Sequence, residues 1–356
     1  MDYLHFLVAA QRVFSNVEAA KSYPAADSSG PAHDAYTRLL QRCQPDSAAL
    51  WAEVQPCVPQ PGGMLVLDDT TLDKRYARAI ELVTRHWSGK HRAVVQGINL
   101  ITLLWTDGNA HWPCDFRIYD TRDGQTKNDH FRAMLDVAAQ RGLQPALVAF
   151  DSWYASLDNL KRVRPLGWRW LTQLKSNRLV DPDRAGNRPI SSIVIPGHGR
   201  RVHLKGYGWI KVFKTADPHG GVEYWATSDL EMTLEQCAFW ALDTWRIEDY
   251  HRGLKQFCGV ERAQHRSATA QSNHIGPASR AFLRLEAQRL ATGRSWFGVK
   301  ISIIRDAVRA YLAQPLCRVA SRLNLRNDER VLQAAPVRGQ SLRQLMETAD
   351  PPLAMI

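Results

Sequence analysis

Two short, wholly apolar runs in this chain are each followed at once by aspartate. The run 64–67 leads into Asp68 and Asp69, and the run 146–150 leads into Asp151. Apolar runs of this length are typical of strands buried on both faces of a sheet. Open α/β sheets place ligand sites at the carboxyl ends of such strands. The runs therefore predict acids at one edge of an α/β core, although aspartate also forms turns and caps helices after strands.

The segments around these runs indicate the order of the sheet. Strand-like stretches at 94–105 and 111–119 flank a Thr-Asp-Gly-Asn sequence at 106–109, which predicts a hairpin. A helix, a strand ending in Asp151, a second helix and a further strand at 168–174 follow. Three antiparallel strands followed by alternating helices and strands are typical of the ribonuclease-H-like fold. We therefore expect an α/β protein with a ribonuclease-H-like mixed-sheet catalytic core.

The chain divides by texture into five predicted regions. The stretch after residue 176 is rich in Gly, Pro, Arg and Lys and interrupts the alternation of predicted helices and strands. We therefore expect it to form a separable β-subdomain rather than part of the central sheet. Helical texture dominates both ends. The regions are a helical N-terminal DNA-binding region (1–60), the first part of the core (61–176), a β-rich insertion (177–228), the last core helices (229–292) and a basic helical C-terminal region (293–356).

A third candidate acid lies on a predicted helix over 245–255. Helical spacing places Glu248, Arg252 and Lys255 within about 60° of arc. Apolar residues occupy the opposite side, as a core-facing stripe requires. A structural i,i+4 ion pair between Glu248 and Arg252 would also explain this stripe.

Three segments together resemble the catalytic segments of bacterial insertion-sequence DDE transposases. They are 67–71 (LDDTT), 149–151 (AFD) and 245–255 (WRIEDYHRGLK). The resemblance is to the branch with a Tyr-x2-Arg-x3-Glu-x6-Lys signature. It implies catalytic, metal-binding roles for Asp69, Asp151 and Glu248, with Asp68 as a neighbour, Mg²⁺ as the cofactor and Mn²⁺ as a substitute.

The match to that signature is incomplete. Glu248 and Lys255 occupy the signature positions, whereas Ala241 and Thr244 stand where the signature has Tyr and Arg. The resemblance further implies cleavage that frees a 3′-OH, then strand transfer. The resemblance implies that the protein binds double-stranded DNA, both the terminal inverted repeats and the target DNA. It also implies that two copies of the chain form a homodimer on that DNA. Trp245 either stacks on a flipped base, as in the family that the chain resembles, or packs in an ordinary core.

A formal net charge of +11 is consistent with a polyanionic partner, since cations that neutralise phosphates release counterions. Solubility alone would explain the charge equally well. Basic and aromatic residues around the predicted acids and in the insertion are the candidate DNA contacts, with a solvated basic face as the alternative. They are Lys90, His91, Arg92, Lys175, Arg201, Lys205, Lys211, Trp245, His251, Arg252 and Lys255.

The six cysteines are scattered without zinc-type spacing, which indicates reduced thiols in a cytosolic protein. No apolar stretch is long enough to predict a membrane span. We expect a cytoplasmic, nucleoid-associated bacterial protein. Two other functions stay open: a ribonuclease-H-like nuclease or resolvase without strand transfer, and a domesticated DNA-binding protein with a decayed site.

Overall fold

The first strand of the core, β1 (Met64–Asp73), lies inside a mixed sheet. It pairs antiparallel with β3 (Ala93–Thr106) along its whole length and parallel with β5 (Leu147–Phe150) only through Leu67. A computed structural model of the chain describes residues 2–24, 30–43, 47–89, 91–216 and 220–315. The fold of these residues is mixed α/β, with helices before and after the strands.

The predicted hairpin is confirmed. β3 pairs antiparallel with β4 (His111–Tyr119) across the turn at 107–110, where Asp107 Oδ1 accepts the backbone N–H groups of Asn109 and Ala110. β2 (Thr84–Ser88) pairs with the first part of β3 on the same edge. Beyond β5 the sheet continues with β6 (Trp170–Leu174), which is parallel to β5.

The insertion differs from the prediction of a separable β-subdomain. β11 (Val222–Thr227) pairs antiparallel with β6, and β10 (Gly208–Ala216) and β9 (Arg200–Leu204) follow outward. These strands therefore extend the central sheet. The physical reason is the free edge of β6, whose backbone N–H and C=O groups need partners. A small hairpin of β7 (Leu179–Val180) and β8 (Arg188–Pro189) forms a second sheet.

Helices cover both faces of the sheet. Leu65 and Leu67 of β1 pack in one buried cluster with Phe131 of α5 (Lys127–Gln140), whereas Val66 packs in another with Tyr250 of α8 (Arg246–Phe257). This is the alternation of a strand between two cores. The helices are α1 (Asp2–Ala9), α2 (Asn16–Lys21), α3 (Ala35–Arg42), α4 (Ala48–Val54), α5 (Lys127–Gln140), α6 (Leu157–Val163), α7 (Leu234–Thr244), α8 (Arg246–Phe257), α9 (Ala268–Thr292) and α10 (Trp296–Ala313).

The N-terminal helices are bound to α9. Tyr3 Oη donates to Nδ1 of His274 at 2.8 Å, because the other ring nitrogen donates to the carbonyl of Gly259. Glu53 on α4 receives hydrogen bonds and ion pairs from Arg280 and Arg284. These arginines therefore join two helices.

The chain divides into two compact units, residues 1–303 and 304–356. The sheet and the candidate site lie in the first unit. Of the second, the structure describes residues 304–315, so most of the predicted basic C-terminal region lies outside the described residues. In the described part of the chain, no helix is both long and apolar enough to cross a membrane.

Candidate active site

The sequence had suggested that Asp68 and Asp69 follow the first core strand. In the structure, both aspartates lie inside β1. Pairing between β1 and β5 stops at Leu67 and Phe150, while β3 continues to pair with β1 as far as Asp73. Asp68 and Asp69 therefore lie directly past the end of β5. Asp151 follows β5, so the acids of both strands meet at one edge.

Strand alternation sends the two neighbouring acids to opposite sides of the sheet. Asp68 continues the side of Val66, toward α8, and Asp69 continues the side of Leu67, toward α5. The contacts of each carboxylate agree with this assignment. The chain thus presents one acid to each helical layer.

Three donors hold the Asp69 carboxylate. Oδ2 accepts hydrogen bonds from Asn99 Nδ2 at 2.6 Å and from Lys127 Nζ at 2.8 Å, and Oδ1 accepts one from Tyr154 Oη at 2.8 Å. Burial alone would raise the pKa of Asp69. The Lys127 charge and the three hydrogen bonds outweigh it and bring the pKa below its usual value.

Asp68 lies in the opposite electrostatic environment. Burial, and then the charges of Asp69, Asp151 and Glu248, raise its pKa well above the usual value. One carboxylate oxygen of Asp68, one of Glu248 and one ring nitrogen of His251 lie within 4.8 Å of one another. Neighbouring acids with pKa values pushed in opposite directions are typical of functional sites.

Asp151 has a turn-forming role as well as a place beside these acids. Its Oδ1 accepts the backbone N–H of Trp153 at 3.0 Å and that of Tyr154 at 3.3 Å. Burial raises the pKa of Asp151, and the charge of Asp69 adds to the effect. Asp151 therefore forms the turn after β5, and its carboxylate also lies close enough to Asp69 to feel its charge.

Glu248 occupies the first turn of α8, where a helix dipole favours an acid. The apolar face of α8 is buried, as predicted, and the helix packs closely on α9. A Cβ at Gly253 would come within 2.6 Å of the Phe282 ring, so glycine is required for this approach. Burial raises the pKa of Glu248, while the charges of Lys255 and Arg252 oppose the rise.

Two cavities meet at Glu248. The smaller, of about 160 Å³, is lined by Asp68, Asp151, Glu248 and Trp245, and Trp245 is 64% exposed. The larger, of about 720 Å³, is lined by Asp69 and Glu248. Its wall also includes His251, Arg252, Lys255, Trp87 and Arg262.

His251 and its partner Thr102 lie beneath this surface. The His251 side chain is buried, and its Nε2 lies 2.8 Å from Thr102 Oγ1. Burial, with a smaller contribution from the Lys255 charge, lowers the pKa of His251 to about 3. The imidazole is therefore neutral.

The two cations of the α8 stripe have different surroundings. Lys255 Nζ donates to the carbonyl of Thr71 at 2.9 Å and lies 3.6 Å from Glu261 Oε1. Arg252 pairs with Asp249 at 3.2 Å, and its side chain is 63% exposed. Lys255 thus bridges α8 and β1, whereas Arg252 is open to solvent.

The other candidate DNA contacts are spread along the sheet. His91 pairs with Asp73 near the larger cavity, Arg92 is exposed beside it, and Lys90 lies outside the described residues. Arg201 and Lys211 are register partners on the outer strands. Lys205 is exposed at the turn after β9, and Lys175 is exposed after β6. The structure therefore gathers only part of this set near the acids.

Comparison with known proteins assigns the family. A family of DDE superfamily endonucleases matches residues 6–219, more than half of the chain. The chain belongs to this family. The match in this DDE endonuclease spans Asp68, Asp69 and Asp151 and ends before Glu248. No curated protein matches it. A cryo-EM structure of a piggyBac transposase synaptic complex with hairpin DNA is similar with a TM-score of 0.49 and 12% identity, over 96% of this chain and 76% of that one.

The donor set of this DDE endonuclease fits a divalent cation. Carboxylates are the ligands that Mg²⁺ and Mn²⁺ prefer, and burial together with the charges of neighbouring acids raises the pKa values of Asp68, Asp151 and Glu248. Nδ1 of His251 is a buried polar atom without a hydrogen-bond partner in the described structure. Sequence reasoning had overlooked Asn99, Lys127 and Tyr154, because no motif connects them to the acids.

Proposed function

We propose that this DDE endonuclease is a transposase that cuts and joins the ends of an insertion sequence. One observation carries the proposal: Asp68, Asp151 and Glu248, from three distant parts of the chain, line one cavity. Structural acids have no reason to converge, because like charges repel in a partly buried site. A cation-dependent phosphoryl-transfer site requires this convergence.

The metal ligands in this proposal are Asp69, Asp151 and Glu248, joined by Asp68 from the cavity wall. Mg²⁺ is the proposed ion, with Mn²⁺ as a substitute. The ion, when bound, supplies Lewis-acid stabilisation of the negative charge that develops on the attacked phosphate. The central strand order β4-β3-β1-β5-β6 supports a ribonuclease-H-like core for this site.

The chain's own groups would hold the DNA around the acids. Arg252 is exposed and lines the larger cavity, where it would bind a phosphate next to the cut. Trp245 exposes its ring at the smaller cavity, where it would stack on an unpaired base. Asn99, Lys127 and Tyr154 would position Asp69, and Asp151 is oriented by the turn that follows it.

The substrate would be double-stranded DNA carrying the terminal inverted repeats, bound by a homodimer. Water would first free a 3′-OH at the element's end, and that hydroxyl would then attack target DNA. A second candidate is a nuclease that cuts without joining, because the family is described by its endonuclease activity alone. Both candidates use the same acids and differ in the second step.

The test is to incubate the full chain with its own flanking DNA, target DNA and Mg²⁺, and to map 3′-OH ends and joined products. Glu248→Gln should lose cleavage and retain DNA binding, since binding depends on phosphate contacts. Glu235→Gln, an exposed acid in the first turn of α7, is the matched control and should cleave normally. Cleavage without joining would favour the nuclease. Specific binding without cleavage by the unaltered chain would indicate a decayed site.

A further inference from the structure

His251 brings a nitrogen atom into the acid cluster. It lies one helical turn after Glu248 on α8, so the two side chains share a side of the helix. The imidazole is 2% exposed, and one ring nitrogen lies within 4.8 Å of carboxylate oxygens from Asp68 and Glu248. The carboxylate chemistry of the proposed function does not require an imidazole at this position.

Hydrogen bonding engages only one of the two ring nitrogens of His251 in the described structure. Thr102 Oγ1 lies 3.4 Å from the carbonyl oxygen of Asp68, and this carbonyl can only accept, so the hydroxyl donates to it. The same hydroxyl oxygen lies 2.8 Å from His251 Nε2, and it accepts from Nε2–H in the tautomer that carries its proton there. In that tautomer Nδ1 keeps a free lone pair, and in the described structure this buried atom has no hydrogen-bond partner.

The cluster therefore combines acceptors that need a positive partner. Carboxylates of Asp68 and Glu248 and the lone pair of His251 all accept, and an unpaired buried acceptor is unfavourable. A divalent cation satisfies all three groups at once. A proton shared between Asp68 and the imidazole would satisfy two of them, which makes it the competing explanation.

We propose that His251, through Nδ1, ligates a divalent cation together with Asp68 and Glu248. The metal site is then a mixed nitrogen and oxygen site, with Thr102 holding the ring and fixing its tautomer. This inference rests on the proposed function for the role of the carboxylates. Its chemical consequence is a larger gain in affinity for Zn²⁺ relative to Mg²⁺ than oxygen ligands alone would give, because imidazole suits Zn²⁺ better than it suits Mg²⁺.

The test uses Mn²⁺ bound to the full chain without DNA, measured by pulsed electron paramagnetic resonance. We expect a coupling to ¹⁴N from a directly bound imidazole, which changes to the ¹⁵N pattern after selective labelling of histidine. His251→Gln should lose this coupling and bind Mn²⁺ at least about tenfold more weakly, since even changes outside the ligand shell have effects of this size. His198→Gln, at an exposed histidine, should keep both properties.

A Mn²⁺ spectrum of the unaltered chain that shows oxygen ligands only would overturn the inference, and it needs no variant that folds. A nitrogen coupling that persists in a folded His251→Gln chain would overturn it too, since another histidine would be the ligand. Oxygen-only binding combined with DNA cleavage would leave the proposed function intact. Nitrogen coupling without any cleavage or joining would support the site and reject the transposase.

Discussion

Lys127 Nζ lies 2.8 Å from Asp69 Oδ2, and both side chains are about four-fifths buried. An ammonium group from the first residue of α5 thus neutralises an acid that the proposed function assigns to a metal. The pair leaves neither of the two charges uncompensated in the metal-free chain, and it also places a positive charge where it repels an arriving cation.

Lys127→Met should therefore have two effects of opposite sign. Removing one partner of a largely buried pair should lower the free energy of unfolding of the metal-free chain by about 3 kcal/mol. Loss of the positive charge should tighten Mn²⁺ binding severalfold. Urea unfolding and calorimetric titration measure the two effects, and Lys161→Met, at an exposed lysine on α6, is the control. Weaker Mn²⁺ binding in a folded Lys127→Met chain would show that the lysine supports the ion.

The neighbouring acids of β1 should differ in their effect on stability. Asp68→Asn removes a carboxylate whose pKa is raised by burial and by three other acids, so the metal-free chain should become more stable at pH 7, where the charged form is unfavourable. Asp69→Asn should destabilise it, because Lys127 is left without its carboxylate. Both variants should lose cleavage under the proposed function. Equal changes in unfolding free energy would contradict the different environments of the two acids.

The two cations of α8 should separate into a DNA contact and a structural bridge. Arg252→Met should lower the salt dependence of DNA binding by about one unit and leave the unfolding free energy unchanged, since the side chain is exposed. Lys255→Met should cost about 1 kcal/mol of stability by removing the hydrogen bond to Thr71. Binding measured over a range of salt, with unfolding in parallel, distinguishes them. A normal salt slope for Arg252→Met would remove it from the interface.

Acid should weaken the contact between α1 and α9. Burial lowers the pKa of His274 to about 4, whereas the unfolded chain titrates near 6.5. The unfolded state therefore binds more protons between these values, and stability should fall by about 3 kcal/mol from this residue as the pH drops from 7 to 4. His274→Gln should show a shallower loss in urea unfolding across this range. Parallel curves for the two chains would mean that another group carries the dependence.

Local patterns predicted the elements of this fold well. The apolar run at 64–67, the hairpin around 106–109 and the core-facing stripe of α8 each carry their information within a few residues, through burial, turn chemistry and helical spacing. The family comparison extends this agreement to the class of protein, since the chain is a DDE superfamily endonuclease.

The insertion shows where local information ends. Its strands alternate as strands should, and that pattern is the same for a separate subdomain and for an extension of the sheet. Pairing of Thr227 with Leu171 joins them to β6. An unpaired strand edge is a property of the assembled sheet, so composition alone could not predict this outcome.

By itself, the sequence determined that two acids adjoin on β1 and that others follow β5 and lie on α8. Only the tertiary structure decided that Asp68 faces α8 while Asp69 faces α5 and Lys127. Adjacent residues of a strand point to opposite faces, and which helix covers each face depends on contacts between residues far apart in the chain. The same dependence placed His251 beside Asp68, because Thr102 and α8 meet only after the sheet has formed.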